Sequence, residues 1–500
     1  MLVVVSLMTL ALPPLADVAK DDPVAYLHAS QALTHLREID ESAFGPLLSI
    51  FLPTVERKKL LAERGGDLLV ALYRNAETQA LDTWLGLDAG KATADVVALW
   101  AQDLKLRGYE DAAGDARPGL KTRVFTRSSH GLFLFQADGR CGLASRQSLS
   151  LEALEVSTKP LAESSDFKAV ASLDSDAAVR GRVNIQKYYG YLARTEQGSY
   201  LSGLVRRLGL DNLVAASLAV RLDGKKRLET RVSVVAPKPW QGVLDALGPA
   251  VTSETLVAVP QEFLGFMRVS IRPARLWVVV QKVLAQASAM EFTLAQAQLD
   301  ALQDEAKIRI DDALGDEPKA WALVIMPGAG TFDLVLVAPV ADAEGLGKIL
   351  ERYGRILPSI APDLKLSVAE SPAGRILSLG WARKKGDPFL TLAVQAGKES
   401  RVVVASSAAA LDAFLQQHGK IRLAPAEPAI LSGALQDQAL GLWLFDLGAK
   451  PTGSRAAALG KVLHRTAIKR KDLEAVLSTT TFALKPTDEG LLLSVSTLAK

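Results

Sequence analysis

Residues 213–235 read LVAASLAVRLDGKKRLETRVSVV, and residues 475–498 read AVLSTTTFALKPTDEGLLLSVSTL. Each is a pair of apolar-rich runs of strand length around a turn, Asp223-Gly224 in the first and Asp488-Glu489-Gly490 in the second. That is the signature of a β-hairpin. The two hairpins close the two halves of the chain, and reading backwards from each recovers the same order of elements.

Before the hairpins lie RGRVNIQKY (180–188) and LGLWLFDLG (440–448), read as matching strands. Before those, each half carries a three-strand meander. The first runs TRVFT, LFLFQ and CGLAS within residues 122–145, and the second runs RILSLGW, FLTLAVQ and RVVVAS within residues 375–406. Gly-containing connections separate the runs, as hairpins require. Both meanders end in Ala-Ser, Ala144-Ser145 and Ala405-Ser406. A helix is expected after each, carried by Leu149, Leu151, Ala153 and Leu154 in one half and Leu411, Ala413, Phe414 and Leu415 in the other. Ser148 or Ser150, and Ser406 or Ser407, are suited to cap these helices.

Further upstream, apolar runs at 68–74 and 320–326 are followed by strands at 80–87 and 331–338. Amphipathic helices then span 92–106 (Val96, Val97, Leu99, Trp100, Leu104) and 343–356 (Leu346, Ile349, Leu350, Tyr353, Ile356). The first strands are read at 24–28 (VAYLH) and 255–259 (TLVAV). The pattern predicts an internal duplication with an offset near 255 residues. The fold class is α+β: two similar units, 20–250 and 251–500, of mainly antiparallel sheet with helices packed on one face. Phe133 and Phe135 alternate with Leu132 and Leu134, which requires that the other face be partly covered too. Residues 273–302 carry a helical stripe (Leu276, Val279, Val280, Val283, Leu284, Leu294, Leu299, Leu302) and read as one or two helices linking the units.

Composition narrows the function. Apolar residues make up 49% of the 500 and charged residues 23%, a globular profile. Lys plus Arg is 58 against 55 for Asp plus Glu, a net charge of +3, so there is no broad basic field for nucleic acid. One Cys excludes an intramolecular disulfide framework and a Cys-based zinc site. Residues 2–12 are apolar except Ser6 and Thr9, and Pro13-Pro14 ends the run. Eleven residues of helix reach only about 16 Å, against about 30 Å of bilayer core. The run therefore suits a secretory signal over residues 1–19, with Ala16 or Ala19 as the last residue removed, although no Lys or Arg precedes it. The product is expected to be periplasmic or extracellular, with no transmembrane span in the mature chain.

No motif for chemistry emerges. Residues 86–93 (GLDAGKAT) imitate a phosphate-binding loop but are one residue short, and Ala92 stands where a metal-binding hydroxyl belongs. They read as a strand-to-helix turn with Thr93 or Asp95 at the helix start. Gly328 and Gly330 lie between two strands and open no helix, which excludes the dinucleotide fingerprint. His28 and His35 are out of register for chelation. His130 at a hairpin tip beside Ser128 and Ser129 lacks an orienting acid, His418 suits a helix end, and His464 lies in a basic stretch. Cys141 alternates with Leu143 and reads as a small buried hydrophobe. Asp21-Asp22 and Asp311-Asp312 read as turns or caps. The basic run Lys461, Arg465, Lys469, Arg470 and Lys471 is the candidate contact for an anionic surface such as an envelope lipid, although Asp472 and Glu474 follow it. No catalytic, cofactor or metal residue is assigned.

The chain resembles a family of exported bacterial proteins catalogued only as a domain of unknown function, of planctomycete, cyanobacterial and myxobacterial type. The resemblance rests on Pro23-Val24-Ala25-Tyr26-Leu27, on Phe167-Lys168 followed by Arg182-Val183-Asn184-Ile185, and on Ile310 to Asp316 (IDDALGD) before the 322–326 strand. It covers most of residues 20–500 and implies export and the doubled α+β fold, but no catalytic residues. Duplication, export and the lack of reactive clusters point to a non-enzymatic binding or scaffold protein with an envelope component or hydrophobic ligand as partner. A lipid carrier with an apolar groove is the alternative, and a hydrolase with a dispersed site comes third.

Overall fold

The computed structural model describes residues 23–42, 66–75, 81–112, 116–117, 120–127, 130–137, 139–146, 160–194, 196–224, 226–249, 265–287, 289–327, 332–360, 363–371, 374–381, 390–395, 400–416, 441–446 and 477–499. In the first unit the strands are β1 (Ala25–Ala29), β2 (Leu68–Arg74), β3 (Leu81–Asp88), β4 (Glu110–Ala112), β5 (Ala116–Arg117), β6 (Leu120–Arg127), β7 (His130–Ala137), β8 (Arg140–Ala144), β9 (Val179–Asn184), β10 (Ala215–Asp223) and β11 (Arg227–Val235). Its helices are α1 (Ala32–Glu41), α2 (Thr93–Leu106), α3 (Ser165–Leu173), α4 (Ile185–Leu192) and α5 (Glu196–Arg207). The second unit has strands β12 (Gly265–Ile271), β13 (Lys319–Pro327), β14 (Phe332–Pro339), β15 (Leu364–Ser371), β16 (Gly374–Trp381), β17 (Leu390–Gln395), β18 (Arg401–Ala405), β19 (Gly441–Asp446), β20 (Leu477–Pro486) and β21 (Gly490–Ala499). Its helices are α6 (Pro273–Ala287), α7 (Ala289–Ala306), α8 (Ile310–Leu314), α9 (Ala343–Ile360) and α10 (Ala408–Gln416).

Every strand pairing is antiparallel. The first unit runs β6-β7-β8-β3-β2-β1-β9-β10-β11 across the ladder. The second runs β16-β17-β18-β14-β13-β12-β19-β20-β21. These are the same order, so the internal duplication holds at the level of connectivity. β4 and β5 extend the first run beyond β6, as β15 extends the second beyond β16. The two runs meet where β11 pairs with β21 from Arg227↔Leu498 to Val235↔Gly490. An antiparallel meeting of the same strand from each copy is what a pseudo-two-fold axis through the sheet demands.

One register row makes the equivalence residue-specific. In the first unit it reads Thr122, Phe135, Gly142, Gly86, Leu69, His28, Arg180, Ala219 and Arg231. It continues through the junction as Ser494, Ala483, Leu442, Arg268, Ala322, Val337, Val403, Ala393 and Ile376. The first row read backwards thus matches the second position by position. A shared polar device confirms the match. The Ser145 hydroxyl accepts from Thr83 N at 3.0 Å and donates to Asp82 Oδ1 at 3.0 Å. The Ser406 hydroxyl accepts from Leu334 N at 2.9 Å and donates to Asp333 Oδ1 at 2.7 Å. The Ala-Ser ends of both meanders therefore lock the last meander strand to its neighbour, and the helix cap falls to Ser407, which accepts from Ala410 N at 3.1 Å.

Helices cover both faces rather than one. On the front face, Leu33 and Leu36 of α1 and Val96, Val97, Ala101 and Leu104 of α2 pack with Leu68, Leu87, Phe125, Leu134 and Cys141. In the second unit, α8 and α9 contribute Ile310, Ala313, Leu346 and Ile349 against Leu377, Val394 and Val402, with Trp277 of α6 and Leu299 of α7 beside them. On the back face, Val170 and Phe167 of α3 pack with Tyr26, Leu69, Ala71, Trp84 and Phe135, while Leu411 and Phe414 of α10 pack with Val335, Val337, Val403 and Ala405. Strands buried on both faces need apolar side chains at successive positions, which is why runs such as LLVALYR carry no polar alternation.

Three expectations are corrected. The run 180–188 is not strand throughout: Asn184 accepts from Lys187 N at 2.9 Å, capping α4, so β9 stops there. The strand equivalent to β1 is β12 at Gly265–Ile271, because its place in the ladder, between β13 and β19, mirrors β1 between β2 and β9. An arginine inside GFMRVSI hid it from an apolar-pattern reading. The helices at 273–302 follow β12 and so lie inside the second unit, where they occupy the place of α1 in the first. The expectations at 1–19, 149–154, 255–259 and 461–471, and those for His418, Gly328 and Gly330, fall outside the described residues.

The copies keep one packing with different volumes. Gly86 and Gly142 leave room for the rings of Trp84 and Phe135, and a Cβ on either glycine would run into those rings. At the matching positions the second unit has Val337 and Val403 with Val335 and Ala393. Gly86→Val is expected to lose roughly 1–3 kcal/mol by overpacking, and Trp84→Val about 3 kcal/mol by cavity formation. The double variant, which installs the second unit's solution, should lose less than the sum, as measured by urea unfolding of all three. Cys141 is fully buried, and burial pushes its thiol well above the ordinary value. It should resist a thiol reagent at pH 8 in the folded protein and react at once in denaturant; rapid labelling of the native chain would contradict this placement.

Candidate ligand-binding surface at the junction

The central strands β9, β10, β11, β21 and β20 present two chemically different faces, because polar and apolar residues mostly alternate along them. On the back face lie Arg180 and Arg182 of β9, Ser217 and Arg221 of β10, and Arg227, Glu229 and Arg231 of β11. Across the junction Arg227 Nε donates to Ser496 Oγ at 3.0 Å. Asp174, which follows α3 and is almost fully buried, sits 3.6 Å from Arg221 and 3.7 Å from Arg231, while its backbone carbonyl accepts from Arg180. Arg182 bonds Asp166 of α3 at 3.0 Å and Ser217 Oγ at 3.1 Å. Glu229 receives Arg221 at 2.7 Å and Arg227 at 3.1 Å, and its hydrogen bond holds the Arg221 guanidinium above its ordinary value. The result is a cross-linked charged layer, in which paired carboxylates answer most of the arginines.

Beside this layer, Tyr26 and His28 of β1 lie under the Phe167 ring, at centroid distances of 5.6 and 5.4 Å. Burial pushes the Tyr26 phenol far above its usual range, partly offset by Arg182. Neither ring nitrogen of His28 has a hydrogen-bond partner, and Asp67 Oδ2 stands 3.7 Å from Nε2. The pseudo-two-fold places Arg268 of β12 at the equivalent position. Arg268 is 2% exposed, and its Nε and Nη1 have no hydrogen-bond partner.

The front face of the same strands is mainly apolar, interrupted by Thr230 and by the hydrogen-bonded pair Thr480 and Thr497. Leu218, Val220 and Leu222 of β10, Leu228, Val232 and Val234 of β11, Leu493 and Val495 of β21, and Phe482 and Leu484 of β20 form a stripe of half-buried side chains. It runs between the front-face helices of the two units. Val278, Val280 and Leu284 of α6 are 45%, 37% and 48% exposed, and α6 is tied to the end of α5 by Arg207 Nη1 donating to Lys282 O at 3.0 Å.

Other sequence candidates resolve simply. Thr93 Oγ1 donates to Gly90 O at 2.7 Å, so residues 86–93 are a strand-to-helix turn. His35 pairs with Glu38 on the exposed side of α1. Among the described residues no cluster of three or more His, Cys, Asp or Glu is arranged to hold a metal ion, and no helix is long and apolar enough to cross a membrane. The basic residues Lys461, Arg465, Lys469, Arg470 and Lys471 lie outside the described residues, so no candidate surface includes them. The arginine layer was missed because its members come from separate strands and α3. The one signal in sequence was the repeated Arg at alternate positions, as in Arg180-Gly181-Arg182 and Arg227 to Arg231.

No protein-family model matches the chain, and no curated protein matches it. Two solved structures of TP0453 are similar to part of it. Crystal form IV matches 45% of this chain and 81% of its own at 12% identity, and crystal form I matches 49% and 90% at 13% identity, each with a TM-score of 0.28.

Proposed function

We propose that the protein is an exported binding or scaffold protein, acting in the periplasm or at the cell surface without catalysing a reaction. The observation that carries the reading is the two-sided junction, with an apolar stripe in front and a cross-linked charged layer behind. A charged layer whose ions are paired holds the strands rigid from the back. A partly buried apolar stripe in front offers contact area to a partner or ligand. Apolar side chains on the stripe and on α6 favour, as a second reading, carriage of a lipid or another hydrophobic ligand. Export rests on the apolar run at residues 2–12.

Two experiments test this. On the carrier reading, solvent extraction of the natively purified full chain, followed by mass spectrometry, should release an acyl-chain compound. Val232→Asp on β11 should retain much less of it, because a carboxylate would be placed in the stripe. Clean extracts from both proteins would reject the carrier reading and leave the scaffold. Full-length protein expressed in a Gram-negative host should appear in the periplasmic fraction, shortened at its amino terminus; an intact chain confined to the cytosol would reject export.

A further inference from the structure

We propose that Arg268 anchors a second ligand site, on the back face of the second unit, and that its ligand is an organic acid: a carboxylate on an apolar body. Arg268 is 2% exposed, and neither Nε nor Nη1 has an acceptor. Burial draws its guanidinium down to about 10, which leaves it charged at neutral pH. The matching position in the first unit holds His28, with Asp67 3.7 Å away. The comparison is informative because His28 has a carboxylate beside it, whereas Arg268 forms no ion pair among the described residues. A buried cation without a counter-charge is among the least favourable arrangements in a protein interior, and the remedy is an anion.

The surroundings choose the anion. Directly across the ladder Arg268 faces Ala322, which is 1% exposed, and Val324 on the same strand and face is also 1% exposed. Ser270, two residues along the same face of β12, is 6% exposed and supplies a hydroxyl. The planar fork of a guanidinium matches the two oxygens of a carboxylate. Ala322 and Val324, packed in one cluster with Leu411 and Phe414 of α10, are the aliphatic surface from which an apolar body would have to part that helix. The arginine layer of the first unit differs, since its cations are answered by Asp166, Asp174 and Glu229. The site lies on the opposite face from the apolar stripe, so its failure would leave the carrier reading standing.

The test is a thermal-melting titration of the full chain with decanoate below its micellar range, with acetate and with decanol, repeated on Arg268→Met and Arg268→Lys. Decanoate should raise the melting temperature of the wild type in a saturable way, and decanol should not. Arg268→Met should melt higher than wild type without ligand, because the unpaired charge is gone. Its apparent affinity for decanoate should be weaker by about tenfold or more. Arg268→Lys, which keeps the charge but not the fork, should fall between the two. An equal decanoate response in wild type and Arg268→Met, or none in the wild type, would overturn the site. Acetate acting as strongly as decanoate would overturn the apolar body.

Discussion

The backbone pairing of Arg227–Val235 with Gly490–Leu498 is the interaction on which the rest of the molecule depends. Taken separately, each unit would end in a bare edge strand with a row of unanswered N–H and C=O groups, the usual starting point for uncontrolled association. The duplication resolves this by giving the edge a copy of itself. A two-fold brings like strands together antiparallel, so every donor on one edge meets an acceptor on the other without a new motif. The Ala236 N–H donating to the Glu489 carbonyl at 2.9 Å extends the pairing past the end of β11.

Once joined, the copies were free to diverge in side chains, provided that volume and register were kept. The Gly86–Gly142 pair under Trp84 and Phe135 and the Val337–Val403 pair beside Val335 and Ala393 are two packings of one space. Close packing tolerates such exchanges when they are concerted, and resists them singly. The Asp82–Ser145 and Asp333–Ser406 locks use the same residue types in both copies, and their hydrogen-bond geometry ties a backbone N–H and a carboxylate to one hydroxyl. Polar sites with several fixed partners allow fewer substitutes than apolar ones.

The copies differ most clearly in charge. At the junction, arginines cluster on the first unit's strands, and their counterparts across the two-fold are uncharged in several cases, as with Arg231 and Ser494 or Arg180 and Leu442. At the His28 and Arg268 positions both side chains are buried, but the first has Asp67 beside it and the second forms no ion pair among the described residues. The two copies are alike in strand order and unlike in the charge they carry.

Much of the architecture was legible along the chain: hairpins, meanders, the order of elements, the burial of Cys141, and the condition that both faces be covered. Such features follow from local periodicity and turn chemistry, which neighbours in sequence carry. Where β9 stops was less visible, because a single asparagine side chain, not a change in hydrophobicity, ends the strand. β12 was hidden by Arg268, since a charge inside an apolar strand argues against burial until the ladder puts it there. The charged layer, the apolar stripe and the unanswered guanidinium exist only after strands from separate parts of the chain are placed side by side. The sequence by itself determined which segments become strands and helices and that they come twice. Only the tertiary structure decided which charges meet and which remain alone, because electrostatic partners are set by distance in space.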